Sequence, residues 1–313
     1  MPVPAGVLAS TGPDGAASPA GHRRAPRPSR WIGAAIALLA ISTTAWAAEP
    51  VLKFGVDPRY SPRELFERYQ PLLEYLREAT GWRFELHLTK TYEEGIRDLG
   101  NGVVHFGSYG AVSYLAAQAR YGGLQPMFRG VGREANGLYR AAIVTREERG
   151  IRDLKDLRGR SFAFGSRFST QGYVLPRAML ERAGIRLSDL NAVIHLGSHT
   201  SVAREILLGH YDAGAVSEIK AREYEELGLR IIAISEAVPS SPIVAGRGLD
   251  PKLVEGVRGA LRSLEADGKH RALLRSWDPE LAYGLIAARD ADYAGLRELV
   301  RRFGLLEPRE SSR

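Results

Sequence analysis

The sequence predicts an α/β fold of two lobes, with mostly parallel sheets flanked by helices and two chain crossings that form a hinge. Three observations lead to this prediction. From Val51 onward, apolar runs of strand length alternate with segments of helical periodicity, which is typical of sheets covered on both faces. The alternation starts again after a polar connector at 151–159, and Pro239 and Pro242 then bracket a return segment. The length of 313 residues is enough for two lobes of ordinary size.

The first half of the chain contains alternating predicted strands and helices. Leu65, Leu72 and Leu76 recur at helical spacing up to Gly81, although Pro71 either interrupts this helix or starts its second half. In chain order the predicted elements are a strand at 51–56, a helix at 65–80, a strand at 82–88, a helix at 91–99, a strand at 103–106, a helix at 111–119 and a strand at 138–145.

The second half repeats the pattern and ends in a mostly helical part at 251–306. We expect the chain to cross between lobes near Thr145 and to return between Pro239 and Ile243. The predicted organisation is therefore residues 48–144 as the first part of lobe 1, 145–240 as lobe 2, and 241–313 as the return segment and the helices that complete lobe 1. The further predicted elements are a strand at 162–164, a helix ending at 182, strands at 192–196, 213–216 and 229–234, and helices at 202–208 and 221–227.

Residues 1–47 are predicted to be a secretory signal peptide with an extended basic front. Four arginines precede an uncharged run at 31–48, whose apolar centre is short for a membrane span and is followed by small residues at Ala45 and Ala47. A retained N-terminal anchor is the alternative. Loss of this segment, with its four arginines and one aspartate, lowers the formal charge from +7 to +4. The sequence has no cysteine, which excludes disulfides, thiolate chemistry and a lipid anchor on cysteine.

A hydroxyl-rich turn follows the predicted strand at 162–164 and precedes a helix. A helix start leaves backbone N–H groups without partners and carries a partial positive charge, so it is suited to an anion. Ser169 and Thr170 add hydroxyls, Gln171 adds an amide, and Gly172 allows close backbone approach. The alternative interpretation is that Ser169 only caps the helix.

A second turn of the same kind lies between the strand at 192–196 and the next helix. Ser198 contributes a hydroxyl, and His199 can donate one ring N–H to an anion, or two if it is protonated. Both turns lie at the carboxyl ends of predicted strands, where ligands bind in open α/β sheets. Across the cleft, Tyr92 and Tyr114 are predicted to provide apolar walls with hydroxyls, whereas Arg59 is expected to be a solvated loop residue.

The sequence indicates binding without catalysis. It contains none of the common nucleophile, phosphate-loop or zinc-helix motifs, and its carboxylates do not form a clear acid and base pair. No cofactor or metal site is expected. Lysine and arginine runs interleaved with aromatic residues are also missing, so nucleic acid is a poor candidate partner.

Several short motifs, in their order and spacing, give the chain a resemblance to a known family. It resembles the phosphate, phosphite and phosphonate substrate-binding family of ABC importers from Val51 to about Leu305. The motifs are Gln70-Pro71-Leu72-Leu73, Thr91-Tyr92, Gly110-Ala111-Val112-Ser113-Tyr114, Ser169-Thr170-Gln171-Gly172-Tyr173, Gly197-Ser198-His199 and Val238-Pro239-Ser240-Ser241-Pro242.

This resemblance implies a type 2 periplasmic-binding fold whose lobes close over a ligand and deliver it to an ABC permease in the inner membrane. It also implies that Ser169, Thr170 and His199 hold a phosphorus oxyanion, while Tyr92 and Tyr114 line the opposite wall. The protein is expected to be periplasmic and monomeric. The alternatives are a sensory module that feeds a membrane kinase or chemoreceptor, and an enzyme of the same fold.

The chain departs from the family pattern at two positions. Gln171 stands where the family often has serine, and its longer side chain changes the anion seat. Ser241 stands where aminophosphonate binders of the family carry an acidic residue before the proline. The loss of that carboxylate favours phosphate, phosphite or a plain alkylphosphonate over a ligand with an ammonium group.

Overall fold

A computed structural model of the protein describes residues 51–133 and 136–307. The predicted signal peptide at 1–47 lies outside the described residues. The strands are β1 (Leu52–Val56), β2 (Phe84–Leu88), β3 (Phe106–Ser108), β4 (Gln125–Gly130), β5 (Leu138–Tyr139), β6 (Ala141–Arg146), β7 (Ser161–Phe164), β8 (Ala192–His195), β9 (Ala213–Ser217), β10 (Leu229–Ile234), β11 (Val238–Pro239), β12 (Pro242–Ala245) and β13 (Leu285–Ala287).

The helices alternate with these strands and flank the sheets. A π-helical turn at Thr170–Val174 runs directly into the fourth helix. The helices are α1 (Pro62–Thr80), α2 (Tyr92–Gly100), α3 (Ala111–Tyr121), α4 (Leu175–Arg182), α5 (His199–Leu207), α6 (Glu218–Glu225), α7 (Pro251–Arg262), α8 (Arg271–Ser276) and α9 (Ala294–Arg302).

Two sheets define two lobes, and a short ribbon connects them. Lobe 1 contains a six-stranded sheet in the order β13-β4-β12-β3-β1-β2, and lobe 2 contains a five-stranded sheet in the order β10-β6-β9-β7-β8. Strands β5 and β11 pair with each other as an antiparallel ribbon where the chain passes between the sheets. The return strand β12 inserts between β3 and β4, so the C-terminal part completes lobe 1. The predicted α/β fold with two crossings is confirmed.

The sheets are mixed, however, rather than mostly parallel. The pairs β1–β2, β1–β3, β7–β8 and β7–β9 are parallel, whereas β12, β4, β13, β6 and β10 all pair antiparallel. A parallel pair needs a crossover connection, usually a helix. Helices α1 and α2 connect β1, β2 and β3, and helices α4 and α5 connect β7, β8 and β9, whereas β6, β10 and β12 adjoin the two crossings and pair antiparallel.

The first crossing lies earlier than predicted. Strand β6 (Ala141–Arg146) pairs with β9 in lobe 2 over its length, so Thr145 lies within the second lobe and the chain crosses at Leu138–Tyr139. The sequence pattern merges β5 and β6 into one apolar run, and therefore does not reveal that Arg140 separates two strands in different sheets. The chain returns to lobe 1 through Val238–Pro239.

Helix α1 shows how local sequence sets the elements around the cleft. Ser61 caps the helix by accepting a hydrogen bond from the Glu64 N–H, and Gly81 ends it in a left-handed conformation with φ of 77°. The helix runs unbroken from Pro62 to Thr80 with Pro71 inside it, so Pro71 neither interrupts the helix nor starts a second one. The apolar face of α1 is buried against the lobe 1 sheet, and this fixes the loop between β1 and α1 at the cleft.

Gly107 controls the close approach of β1 and β3 beside the cleft. A methyl group there would overlap the carbonyl oxygen of Gly55 and the ring of Tyr109. Because the first of these atoms belongs to the backbone of the paired strand, it has little freedom to move.

We expect Gly107→Ala to destabilise the protein by about 1–3 kcal/mol, the usual cost of overpacking. Gly259→Ala is the matched control, since its Cβ would meet no atom within 4 Å and lies inside helix α7. Urea unfolding of both variants measures the difference. Equal stability of the two variants would contradict the proposed role of the β1–β3 contact.

Candidate functional site

A small cavity lies between the lobes, where loops follow the carboxyl ends of strands from both sheets. It encloses about 10 Å³, roughly the room for one water-sized sphere. Polar side chains dominate its lining, and both lobes and the hinge contribute to it. The lining residues are Asp57, Arg59, Tyr92, Gly110, Tyr139, Ser169, Thr170, Gln171, His199 and Ser241.

Ser169 both caps the turn after β7 and lines the cavity. Its Oγ accepts a hydrogen bond of 2.9 Å from the N–H of Gly172, while its backbone remains extended before the π-helical turn. A Cβ on Gly172 would lie 2.9 Å from that Oγ and 3.1 Å from Cα of Gly165, so only glycine allows this tight turn. Gly172 therefore shapes the turn but does not line the cavity. The capping and the cavity-facing interpretations of Ser169 both hold.

The next two residues of the turn connect it to neighbouring elements. Thr170 Oγ1 accepts a hydrogen bond of 3.1 Å from the N–H of Val112 at the start of α3, so this hydroxyl joins lobe 2 to lobe 1. The same hydroxyl can also act as a donor. Gln171 donates from Nε2 to the carbonyl of Arg140 at 3.1 Å, which holds its side chain across the hinge.

His199 lies at the start of α5 and is buried, with 4% of its surface exposed. Burial lowers the pKa of His199 to about 3, and the positive charges of Arg59 and Lys220 act in the same direction. The imidazole is therefore neutral and offers one N–H donor, so the protonated form with two donors does not apply. Among the described residues, no group forms a hydrogen bond with its Nδ1.

The remaining predicted site residues divide into one that faces the cavity and two that do not. Tyr92 lines the cavity, as Ser169 does. Ser198 caps α5 by accepting from the N–H of Ser201 and does not line the cavity. Tyr114 lies on the far side of α3, where its hydroxyl donates to Asp290 at 2.6 Å, so the structure does not bring it to the cleft.

Arg59 is a site residue that the sequence interpretation placed in solvent. Its side chain is 4% exposed, and its guanidinium donates to Ser241 Oγ at 3.1 Å, Glu280 at 3.2 Å and the Ser108 carbonyl at 3.4 Å. Burial opposes its charge, but Glu280 and Asp278 raise the pKa of Arg59 well above its ordinary value. The expectation of a solvated arginine is wrong, because two acidic residues about 220 positions later in the chain pack against it.

Asp57 is a second site residue that the sequence interpretation missed. It follows β1 directly and is fully buried. Its Oδ2 accepts hydrogen bonds from the Gly110 N–H at 2.6 Å and the Ser113 hydroxyl at 2.8 Å. Burial raises the pKa of Asp57 to about 6, although Arg59 opposes this shift. The position of a charged residue after an apolar strand was a visible signal, but it did not distinguish a cleft residue from a turn residue.

Ser241 lies next to an acidic group even though it is not acidic itself. Its Oγ donates to Glu280 at 2.6 Å. Glu280 also pairs with Arg59, and it lines a neighbouring cavity of about 320 Å³ rather than the central one. The carboxylate that the sequence lacks at position 241 is therefore present nearby, but Arg59 already offsets its charge.

The profile of one protein family matches residues 54–293, most of the described chain. The family is described as the periplasmic substrate-binding protein of phosphonate ABC transporters. This chain belongs to that family. The resemblance inferred from the sequence motifs is thereby confirmed.

Individual relatives agree with this assignment. The chain is 25% identical over 280 residues to the phosphate-import protein PhnD of Mycolicibacterium smegmatis. The alignment covers 82% of this chain and 87% of that protein. It is 26% identical over 162 residues to a probable ABC transporter phosphite-binding protein, PhnD1, of Prochlorococcus marinus. This alignment covers 49% of this chain and 54% of PhnD1.

Solved structures of low sequence identity share the fold of this family member. PhnD1 from Prochlorococcus marinus in complex with methylphosphonate has a TM-score of 0.74 at 19% identity, covering 82% of this chain and 98% of that chain. A binding protein of an ABC phosphonate transporter from Pseudomonas aeruginosa has the same TM-score at 18% identity, covering 80% and 85%.

Substrate-binding proteins of this family are non-catalytic, so the chain is not an enzyme. The family is periplasmic. Over 51–133 and 136–307, no helix is both long and apolar enough to cross a membrane.

The buried charge of Arg59 gives a first test of this family member's site. We expect Arg59→Gln to destabilise the protein by about 3–5 kcal/mol, because it leaves the carboxylates of Glu280 and Asp278 buried without a counter-charge. Arg63→Gln is the control, since Arg63 forms an exposed pair with Glu67 on α1. Urea unfolding should show no measurable change for the control. A similarly small effect at Arg59 would mean that the buried cluster is not coupled to folding.

The neutral state of His199 gives a second test, which concerns pH. Its folded pKa of about 3 lies below the ordinary 6.5, so its contribution to stability is present above pH 6.5 and is lost as the pH falls toward 3. At pH 5 the loss is about 2 kcal/mol relative to pH 7.5.

Ligand-free wild type and His199→Gln should be unfolded with urea at both pH values. The wild type should lose about 2 kcal/mol more than the variant between pH 7.5 and 5. Other titrating groups are shared by the two proteins and cancel in the comparison. Parallel pH profiles would show that the imidazole is not held neutral by burial.

Proposed function

We propose that this protein is the solute-binding component of an ABC importer for a small phosphorus oxyanion: phosphate, phosphite or an alkylphosphonate. It binds the anion between its lobes and delivers it to an inner-membrane permease. It acts as a monomer. The observation that carries the proposal is the convergence of two helix-start turns from lobe 2 and a tyrosine from lobe 1 on one cavity.

The donors around the cavity suit a tetrahedral oxyanion. Thr170 has a proton to donate, His199 is neutral with one N–H, and the first N–H groups of the π-helical turn have no partner within that turn. Several converging donors are what a multiply charged head group needs. Tyr92 from lobe 1 and Tyr139 from the hinge cover the other side with aromatic rings and hydroxyls.

The size of the cavity favours a small ligand. The space of about 10 Å³ must expand even for a tetrahedral anion, whereas a long substituent would have to pass between Tyr139 and Gln171. These two residues also line the neighbouring cavity of about 320 Å³, which offers room for a short substituent. The names of the relatives, phosphate import and phosphite binding, are consistent with a small ligand.

Recognition of an ammonium group is not part of the proposal. Position 241 carries a serine, and the nearby carboxylate of Glu280 is paired with Arg59 and hydrogen-bonded by Ser241. An aminophosphonate would have to compete with that pair for the carboxylate. We therefore expect 2-aminoethylphosphonate not to be the best ligand.

Isothermal titration of the purified protein with phosphate, phosphite, methylphosphonate, 2-aminoethylphosphonate and sulfate tests the proposal. At least one phosphorus compound should bind with a dissociation constant well below millimolar. Absence of heat and of any shift in melting temperature with every phosphorus compound would refute the proposed ligand class.

Thr170→Val tests the anion seat directly, because it keeps the shape of the side chain but removes its donor. We expect at least about tenfold weaker binding of the best ligand, since an unmatched polar group in a buried site costs about 1–3 kcal/mol. Thr80→Val is the matched control, as Thr80 lies at the end of α1, away from the cleft. Unchanged affinity in Thr170→Val would remove Thr170 from the site.

A further inference from the structure

The central cavity and the neighbouring cavity of about 320 Å³ share a wall. Tyr139 and Gln171 line both cavities. Arg59 and Ser241 line the central cavity, and each donates a hydrogen bond to Glu280, which lines the neighbouring one. The two spaces are therefore adjacent, and a substituent on a ligand in the central cavity would enter the larger space through this wall.

The parts of this wall are held with different strengths. Arg59 and Glu280 form a buried ion pair at 3.2 Å, which is costly to break. Tyr139 is buried and lies in the antiparallel ribbon of β5 and β11. The side chain of Gln171 is held by a neutral hydrogen bond of 3.1 Å from Nε2 to the carbonyl of Arg140, which contributes much less than a buried ion pair. Gln171 is therefore the part of the wall that can be displaced at the lowest cost.

The side chain of Gln171 extends from the anion-binding turn toward the neighbouring cavity. Its backbone follows Thr170 in the π-helical turn beside the central cavity, and its amide reaches Arg140, which lines the neighbouring cavity. The carbonyl of Arg140 also accepts a hydrogen bond of 3.0 Å from the N–H of Glu218. A shorter residue at position 171 would therefore open the wall without leaving this carbonyl unpaired.

The neighbouring cavity suits an uncharged alkyl chain. Leu138 and Ile219 give its lining an apolar part. Its charged residues pair with one another, since Glu218 lies 3.7 Å from Arg140 and 3.3 Å from Arg222. A charged substituent would have to compete with these pairs, whereas an alkyl chain can pack against the apolar side chains and leave the pairs intact.

We propose that Gln171 is a gate between the two cavities and that its length limits the alkyl substituent that the site accepts. This inference rests on the proposed function and names the ligand class within it: phosphorus oxyanions with no substituent or a short one. A long alkyl chain displaces the Gln171 side chain from the Arg140 carbonyl and leaves a buried amide unpaired, which weakens binding. A shorter residue at position 171 joins the cavities and admits the chain.

Titration calorimetry tests the gate by comparing butylphosphonate with the best small ligand among phosphate, phosphite and methylphosphonate. In the wild type, butylphosphonate should bind at least about tenfold more weakly than that ligand. Gln171→Ser should reduce the difference at least about fivefold, and Gln171→Asn, which is one methylene shorter than the wild type, should reduce it less. Gln70→Ser is the matched control on α1, where Gln70 donates to Glu74, and it should leave the difference unchanged.

The ratio of the two dissociation constants separates a gate from a purely structural role of Gln171. If Gln171 only fixes the hinge through Arg140, its replacement weakens both ligands equally and the ratio stays at the wild-type value, which would overturn the gate. Equal binding of butylphosphonate and the small ligand by the wild type would overturn it as well. Melting temperatures show which variants are folded, and Gln171→Asn alone decides the outcome if Gln171→Ser is not. Failure of every phosphorus compound to bind the wild type would instead overturn the proposed function.

Discussion

The buried guanidinium of Arg59 is the interaction on which the architecture of the cleft depends. A buried positive charge needs an acidic partner. Glu280 and Asp278, which lie far along the chain, pair with Arg59. The same guanidinium hydrogen-bonds with Ser241 in the return segment, and the carbonyl of Arg59 accepts the N–H of His199 from lobe 2. The loop after β1, the return crossing and the C-terminal region are thereby fixed around one point.

This arrangement separates charge balance from ligand binding. Because the acidic partners of Arg59 already offset its charge, the proposed anion seat consists mainly of neutral donors, among them Thr170 and a neutral His199. Neutral donors select a ligand by the geometry and the protonation of its oxygen atoms, whereas a free positive charge would attract any anion.

The parts of the site that could be predicted from the sequence are those with local physical causes. Ser169 and Thr170 follow an apolar strand and start a helical turn, and any such turn presents donors, so their place was predictable. Arg59 was missed because its burial depends on Glu280, which no local pattern connects to it. Tyr114 was assigned to the cleft although the direction of a side chain on α3 depends on how that helix packs. The directions of the strands were not predictable for the same reason. Whether a strand next to the hinge pairs antiparallel depends on the path of the whole chain and not on its local sequence.

Contacts within the protein join the two lobes beside the cavity. Thr170 accepts from the N–H of Val112, His199 donates its backbone N–H to Arg59, and Lys220 of α6 lies 3.6 Å from Glu64 of α1. A ligand can favour closure only through interactions that are stronger in the closed form than in the open one. The protein's own contacts already supply part of that difference, so the ligand needs to supply only the remainder. A few hydrogen bonds from an anion with few atoms can then be sufficient, which is consistent with a cavity as small as this one.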